Sequence, residues 1–367
     1  LSRLEGSERH VTPRILEIGE ARLMAEAYPQ TTDHWSTRPS PARDDNPRNH
    51  LVTLASLPRL ARALASNDYD LVVIQPGGHA PWAWQGIARA LFRRSALRGE
   101  IPYFRGFGQQ MLRGRVTAPI AVWDMADAPI VPRHHLFLID LAKVYFKREL
   151  PADHWRVFMG TLHEQVPTPR FRRATKHRQR IAKLRPISLG LPLGLDRNAV
   201  VASLHTEGKT SDVFFAGRVD ASSTVRKSGL DELLALRAKG YKIDIPEAPL
   251  PLEAYLKRCA QAWLTWSPEG YGYETFRTYE ASICGSVPVL NAPPIERYKP
   301  LLHGRHCFYH DAEPGGLTRT LEGALSDREK LRPMAQAARE FVLAEHTFTA
   351  LARYVVESTL GQARSDR

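Results

Sequence analysis

The sequence predicts an α/β protein of two domains, each a mostly parallel sheet covered on both faces by helices. Three observations carry this. The chain has 367 residues, too long for one ordinary core and suited to two of comparable size. Short apolar runs alternate with amphipathic stretches along its length, the pattern of buried strands between covering helices. The stretch 195–209 lies between two such series and marks a domain boundary. Hydrophobic residues at 43% and charged residues at 25% are ordinary for a globular chain.

In the first series, residues 15–18 read as a strand closed by Gly19, and the Pro-, Arg- and Asp-rich stretch 31–49 reads as a long loop. Leu54, Leu57, Ala61 and Leu64 stand at helical spacing ahead of a buried strand at 71–74. Residues 120–123 and 136–139 are further strand candidates, and 186–192 reads as the strand leaving the domain. The second series gives a strand at 212–217, a helix at 230–238, a helix at 252–262 and a strand at 262–266. A helix at 275–284 and a strand at 287–290 follow, then terminal helices at 317–325, 331–345 and 348–360.

Composition narrows the function classes less than the pattern does. No run of about 18 apolar residues is present and the first residues are polar, so a cytoplasmic protein is expected. Cys259, Cys284 and Cys307 form no C-x-x-C pair, which fits reduced thiols. A net charge of +12 attracts nucleic acid, anionic lipid and phosphorylated ligands alike.

The stretch 267–290 carries the chemistry, as a strand, loop, helix and strand. Gly270 and Gly272 allow close approach of backbone to ligand, and the amides of a helix starting near Thr275 favour a phosphate. Glu280 lies deeper in that helix, where its carboxylate can accept from the two adjacent hydroxyls of a ribose.

Gly270-Tyr271-Gly272, Glu274-Thr275-Phe276-Arg277, Glu280-Ala281 and Gly285-Ser286-Val287-Pro288-Val289 together resemble the GT-B glycosyltransferases with a group-1-like (GT4/CgeB-like) C-terminal domain. The resemblance is strongest over 212–347. It implies two Rossmann-like domains facing a cleft: 1–200 for the acceptor, 201–345 for the nucleotide-sugar, and 346–367 a helix returning toward the first domain. It carries the ribose role to Glu280 and places Gly270, Gly272, Tyr273, Glu274, Thr275 and Arg277 about the donor. Gly217 and Arg218 fall beside the donor diphosphate, with Arg226 or Lys227 as a second cation. The family's first glutamate would fall at Gly272, with Glu269 and Glu274 to either side as the available acids.

The implied activity is transfer of a sugar from a nucleoside diphosphate to a hydroxyl of a glycan or lipid-linked acceptor, in bacterial surface polysaccharide or lipopolysaccharide assembly. No metal and no cofactor is called for, since a basic pair can stabilise the departing diphosphate. Asp124, Asp127 and His79 are candidate bases if the anomeric centre is inverted. Residues 170–185, with eight Lys or Arg and no acid, and the mixed run 89–98 suit contact with an anionic membrane. His303, His306 and Cys307 lack a fourth ligand and do not read as zinc. Two rivals are a basic nucleic-acid-binding protein, for which no compact module is recognisable, and a catalytically inactive scaffold of the same fold.

Overall fold

The computed structural model describes residues 12–37, 46–77, 105–161, 175–192, 194–204, 206–219 and 223–361. Two sheets organise it. One has seven strands in the order β3-β2-β1-β4-β5-β6-β7: β1 Ile15–Gly19, β2 Thr32–Ser36, β3 Asn49–Leu51, β4 Leu71–Ile74, β5 Ile120–Asp124, β6 Val144–Lys147 and β7 Leu184–Pro186. The other has five strands in the order β12-β11-β10-β8-β9: β8 Ser211–Phe214, β9 Ile243–Asp244, β10 Ala262–Trp266, β11 Val287–Asn291 and β12 Phe308–His310. Every pairing in the five-stranded sheet is parallel. No helix among the described residues is long and apolar enough to cross a membrane.

Two compact units emerge from the contacts. The first runs to Asp124 and includes His134–Tyr145 and the chain from Tyr354 onward. The second comprises Met125–Arg133 and Phe146–Arg353. Residues 146–200 thus group with the second unit. The reason lies in the core: Leu189, Leu191, Leu195, Val201 and Leu204 pack in one cluster with Leu256, Tyr279 and Val342.

Two local readings change. The stretch read as a loop holds β2 and β3, because Thr32, Asp33, His34 and Trp35 are buried despite three of them being polar. Asp33 is partnered there, accepting from Arg48 Nη1 at 2.9 Å and Tyr69 Oη at 2.6 Å, which is what permits a polar strand inside. Residues 136–139, read as a strand, belong to the helix Leu136–Leu141, and the strand is the following β6. A run of four apolar residues fits either element.

In the second unit Val213, Leu264, Val287 and Val289 lie with no measurable exposure between covering helices. Trp266, at the end of β10, is equally buried, and its Nε1 donates to His310 Nε2 at 3.1 Å. The helix Thr224–Ala238 crosses over it at Gly229, where a β-carbon would stand 2.2 Å from Trp266 Cζ2. A mid-helix Gly to Ala change ordinarily gains about 1 kcal/mol. Here the sign reverses: Gly229→Ala should lower the melting temperature, at a cost of about 1–3 kcal/mol for the overpacked indole, and a rise in Tm would show that Trp266 can move.

Candidate functional site

In open parallel sheets ligands sit outside the carboxyl ends of the strands, where the strand order reverses. In the first unit that point lies beside β1, and it is filled by the protein's own groups. Glu17, wholly buried, accepts from the N–H groups of Leu23, Met24 and Ala25 at 2.9–3.0 Å and from Gln75 Nε2 at 3.1 Å. Burial pushes its carboxyl up to about 7, against the pull of those donors. The Gln75 side chain also bonds both the N–H and the C=O of Ala21, and a β-carbon on Gly19 would be 2.4 Å from Gln75 Cδ.

In the second unit the order reverses between β8 and β10, so the loops after Phe214 and after Trp266 frame the site. Arg226 binds these loops together: its Nε donates to Glu269 O at 2.7 Å and its Nη1 to Arg218 O at 3.0 Å. It is buried, so its charge serves the scaffold. Asn291 holds Glu269 at two points, accepting from its N–H and donating to Oε2, both at 2.9 Å. Gly270 is needed where Arg226 lies, since a β-carbon would sit 2.6 Å from Nη2.

The next turn of the loop is fastened by a residue far away in sequence. Glu149, also wholly buried, accepts from Tyr273 N at 2.9 Å and Glu274 N at 3.2 Å, and from Arg148 Nε at 3.0 Å. Arg148 pairs as well with Asp127. Burial raises the Glu149 carboxyl, while Arg148 and the two amides pull it back. Gly272 fits because a β-carbon there would be 2.4 Å from Arg148 Nη2. Glu274 turns inward, accepting from Leu189 N at 2.7 Å and from Tyr279 Oη at 2.8 Å, and burial drives its carboxyl up to about 7.

Thr275 is the extended residue ahead of the helix Phe276–Ile283, and Ser267 Oγ bridges Thr275 Oγ1 at 3.0 Å and Thr278 Oγ1 at 2.9 Å. Arg277 and Glu280 follow one helical turn apart. The Arg277 guanidinium lies 5.4 Å from the Phe215 ring centre, and a β-carbon on Gly217 would stand 2.7 Å from its Nη2. Its Nε and Nη1 are buried with no hydrogen-bond partner among the described residues. Glu280, partly buried, accepts from Tyr255 Oη at 2.8 Å. Burial raises its carboxyl, with Tyr255 and Arg277 opposing.

The structure therefore brings Gly217, Gly270, Gly272, Tyr273, Glu274, Thr275, Arg277 and Glu280 to one switch point, with different duties. Arg277 and Glu280 keep unspent polar capacity; Glu274 and Arg226 are committed inside the protein. Arg218 and Lys227 are exposed. Asp124 is buried and accepts from Tyr145 Oη at 2.7 Å, Asp127 is held by Arg148, and His79 lies outside the described residues. His303 and His306 each accept a backbone N–H through Nδ1, from Tyr309 and Leu302. Arg148, Glu149 and Tyr255 were not singled out in the sequence. The signal for the first two was there, as a charged triplet Lys147-Arg148-Glu149 inside the apolar stretch 144–150.

Residues 248–357, which contain this helix and loop, match the family described as "Glycosyl transferase-like". Solved structures share the arrangement across almost the whole chain. A glycosyltransferase from Rickettsia africae superposes with a TM-score of 0.54 at 9% identity, covering 95% of this chain and 98% of that one. Sucrose-phosphate synthase from Thermosynechococcus elongatus gives 0.52 at 11%, covering 96% and 100%. HepE from Anabaena, solved in complex with UDP, gives 0.52 at 10%, covering 94% and 99%. The chain has the GT-B fold, and its residues 248–357 are glycosyl transferase-like. No curated protein matches the sequence. In this GT-B chain the group-1-like segment is the one that surrounds the second unit's switch point.

The buried acids give the protein a pH dependence. Glu274 titrates near 7 when folded against an ordinary 4.5, so the folded state holds the proton more tightly and stability falls as pH rises between those values. Glu17 acts in the same direction. Melting curves from pH 5 to 8 should show a falling Tm, with a shallower fall for Glu274→Gln; equal slopes would mean that Glu274 is ionised throughout.

Proposed function

We propose that this protein transfers a sugar from a nucleoside diphosphate sugar to a hydroxyl of a glycan or lipid-linked acceptor, in the assembly of a bacterial surface polysaccharide or lipopolysaccharide. The observation that carries the reading is Arg277. A guanidinium with two buried, unpartnered nitrogens is costly, on the order of 1–3 kcal/mol per unmade bond, and an anion at the switch point would recover that cost. Its neighbours suit a diphosphate: Gly217 has no side chain to intervene, and Thr275 begins a helix whose amide end favours negative charge.

Glu280, three residues on along the same helix, is assigned the ribose hydroxyls. The donor would then span from Glu280 past Arg277 to the glycine loop, where the sugar lies. The acceptor oxygen attacks the anomeric carbon, the bond from that carbon to the phosphate oxygen breaks, and the charge that appears on the leaving diphosphate is met by Arg277, with Arg218 as an exposed partner. Acceptor recognition is assigned to the first domain, whose own phosphate-binding position is closed by Glu17 and Gln75. Asp127 is tied to Arg148 and Asp124 to Tyr145, so either would act as base only after exchanging that partner for the acceptor hydroxyl. Exposed cations such as Lys176 and Arg178 fit contact with an anionic membrane surface.

The test is calorimetric titration of the purified protein with UDP and GDP. Binding of one of them is expected in the wild type. Arg277→Ala should weaken it at least about tenfold, as loss of a charge-assisted contact does, while uridine or guanosine binds as before. Glu280→Ala should weaken nucleotide and nucleoside alike. If Arg277→Ala binds the diphosphate as tightly as wild type, the assignment of Arg277 is wrong.

A further inference from the structure

The hydroxyl of Tyr255 is the one partner that Glu280 has among the described residues. It lies on the helix Leu252–Ala260, 25 residues upstream, and donates to Glu280 Oε2 at 2.8 Å, leaving Oε1 without a hydrogen bond. The phenol is not free to wander. Its ring packs on Phe214 at the end of β8, with ring centres 5.7 Å apart. Arg258 lies over the same Phe214 ring at 5.8 Å and is anchored by Asp244 at the end of β9, with Nε to Oδ2 at 2.9 Å. Two strand ends thereby fix the helix that presents the hydroxyl.

A carboxylate on one exposed edge of a helix can rotate about its side-chain bonds, and each rotamer presents its oxygens differently. One oxygen held by a rigid donor leaves the other in a single place. We propose that Tyr255 is a positioning residue for the ribose, its hydroxyl holding Glu280 so that Oε1 receives the ribose 2′-hydroxyl, and that the site thereby discriminates ribonucleotides from 2′-deoxynucleotides. This rests on the nucleotide-sugar reading of the same site. The phenol also opposes the rise that burial gives the Glu280 carboxyl. Tyr255 from the packed helix and Arg277 from its own both act in that direction.

The experiment compares wild type, Tyr255→Phe, Glu280→Gln and the double variant by calorimetry, with UDP, GDP and their 2′-deoxy counterparts, after a melting curve has shown each variant folded. Tyr255→Phe keeps the ring and removes only the hydroxyl. It should weaken the ribonucleotide at least about tenfold, as loss of one hydrogen bond to a charged group does, and leave the 2′-deoxynucleotide nearly unchanged. In the Glu280→Gln background it should change neither. Equal weakening of both nucleotides, or none, overturns the positioning role while leaving the nucleotide site standing. Failure of the wild type to bind any of the four would instead sink the nucleotide reading, and the inference with it.

Discussion

Backbone amides that leave water must find an acceptor, and in this protein the acceptor at the critical places is a buried glutamate. Glu149 is the one on which the site depends. The loop after β10 frames the proposed donor site, and its amides at Tyr273 and Glu274 need satisfying. A carboxylate from outside the loop does this: it bonds both amides, and Arg148 opposes the rise that burial gives it. Gly272 and Gly270 then follow as sterics, because guanidinium groups occupy the volume a side chain would need. The same solution recurs at Glu232, which accepts from Gly315 and Thr318 at the start of the helix Gly316–Leu325.

The two switch points differ by this device. In the first unit Glu17 takes all three amides at the opening turn of the helix Leu23–Ala27, and Gln75 fills what remains. Among the described residues, these groups are taken by the protein's own side chains. In the second unit the glutamate, from outside the loop, takes the loop's amides one step back, and the helix that follows starts with Thr275 and an arginine whose guanidinium is only partly used. Two sheets of similar parallel design thus differ in which polar groups at the switch point are already paired, and the difference lies in where a carboxylate was put.

Much of this was legible in the sequence, for identifiable reasons. Strands such as β4, β10 and β11 are short apolar runs between turn residues, and the terminal helices have strong 3.6-residue periodicity, so physical pattern and fold agree. The strand Thr32–Ser36 was hidden because its buried Asp33 is compensated by Arg48 and Tyr69, partners that no local pattern announces. At the site, Arg277 and Glu280 stand in one compact motif and could be read together. Glu274 stands in the same motif and looked equivalent, yet its partners are Leu189 and Tyr279, one of them 85 residues away. Arg226 was unreadable for a similar reason, since its duty is set by two carbonyls brought together only by the fold. Pairings across sequence decide which charges are spent and which remain available, and such pairings exist only in three dimensions.

The division of the chain between the units bears on how it is made. The first unit is built from three separate stretches, the last beginning at Tyr354 within the helix Phe348–Leu360, whereas the second needs nothing beyond Arg353. Domains tend to fold as units as the chain emerges from the ribosome. The unit whose synthesis starts first is therefore the later to be completed, and it waits with β1, β2 and β4 already made while all of the second unit is produced. A polar strand such as β2, with its acid and histidine, is a safer thing to hold through that interval than an unbroken apolar one would be.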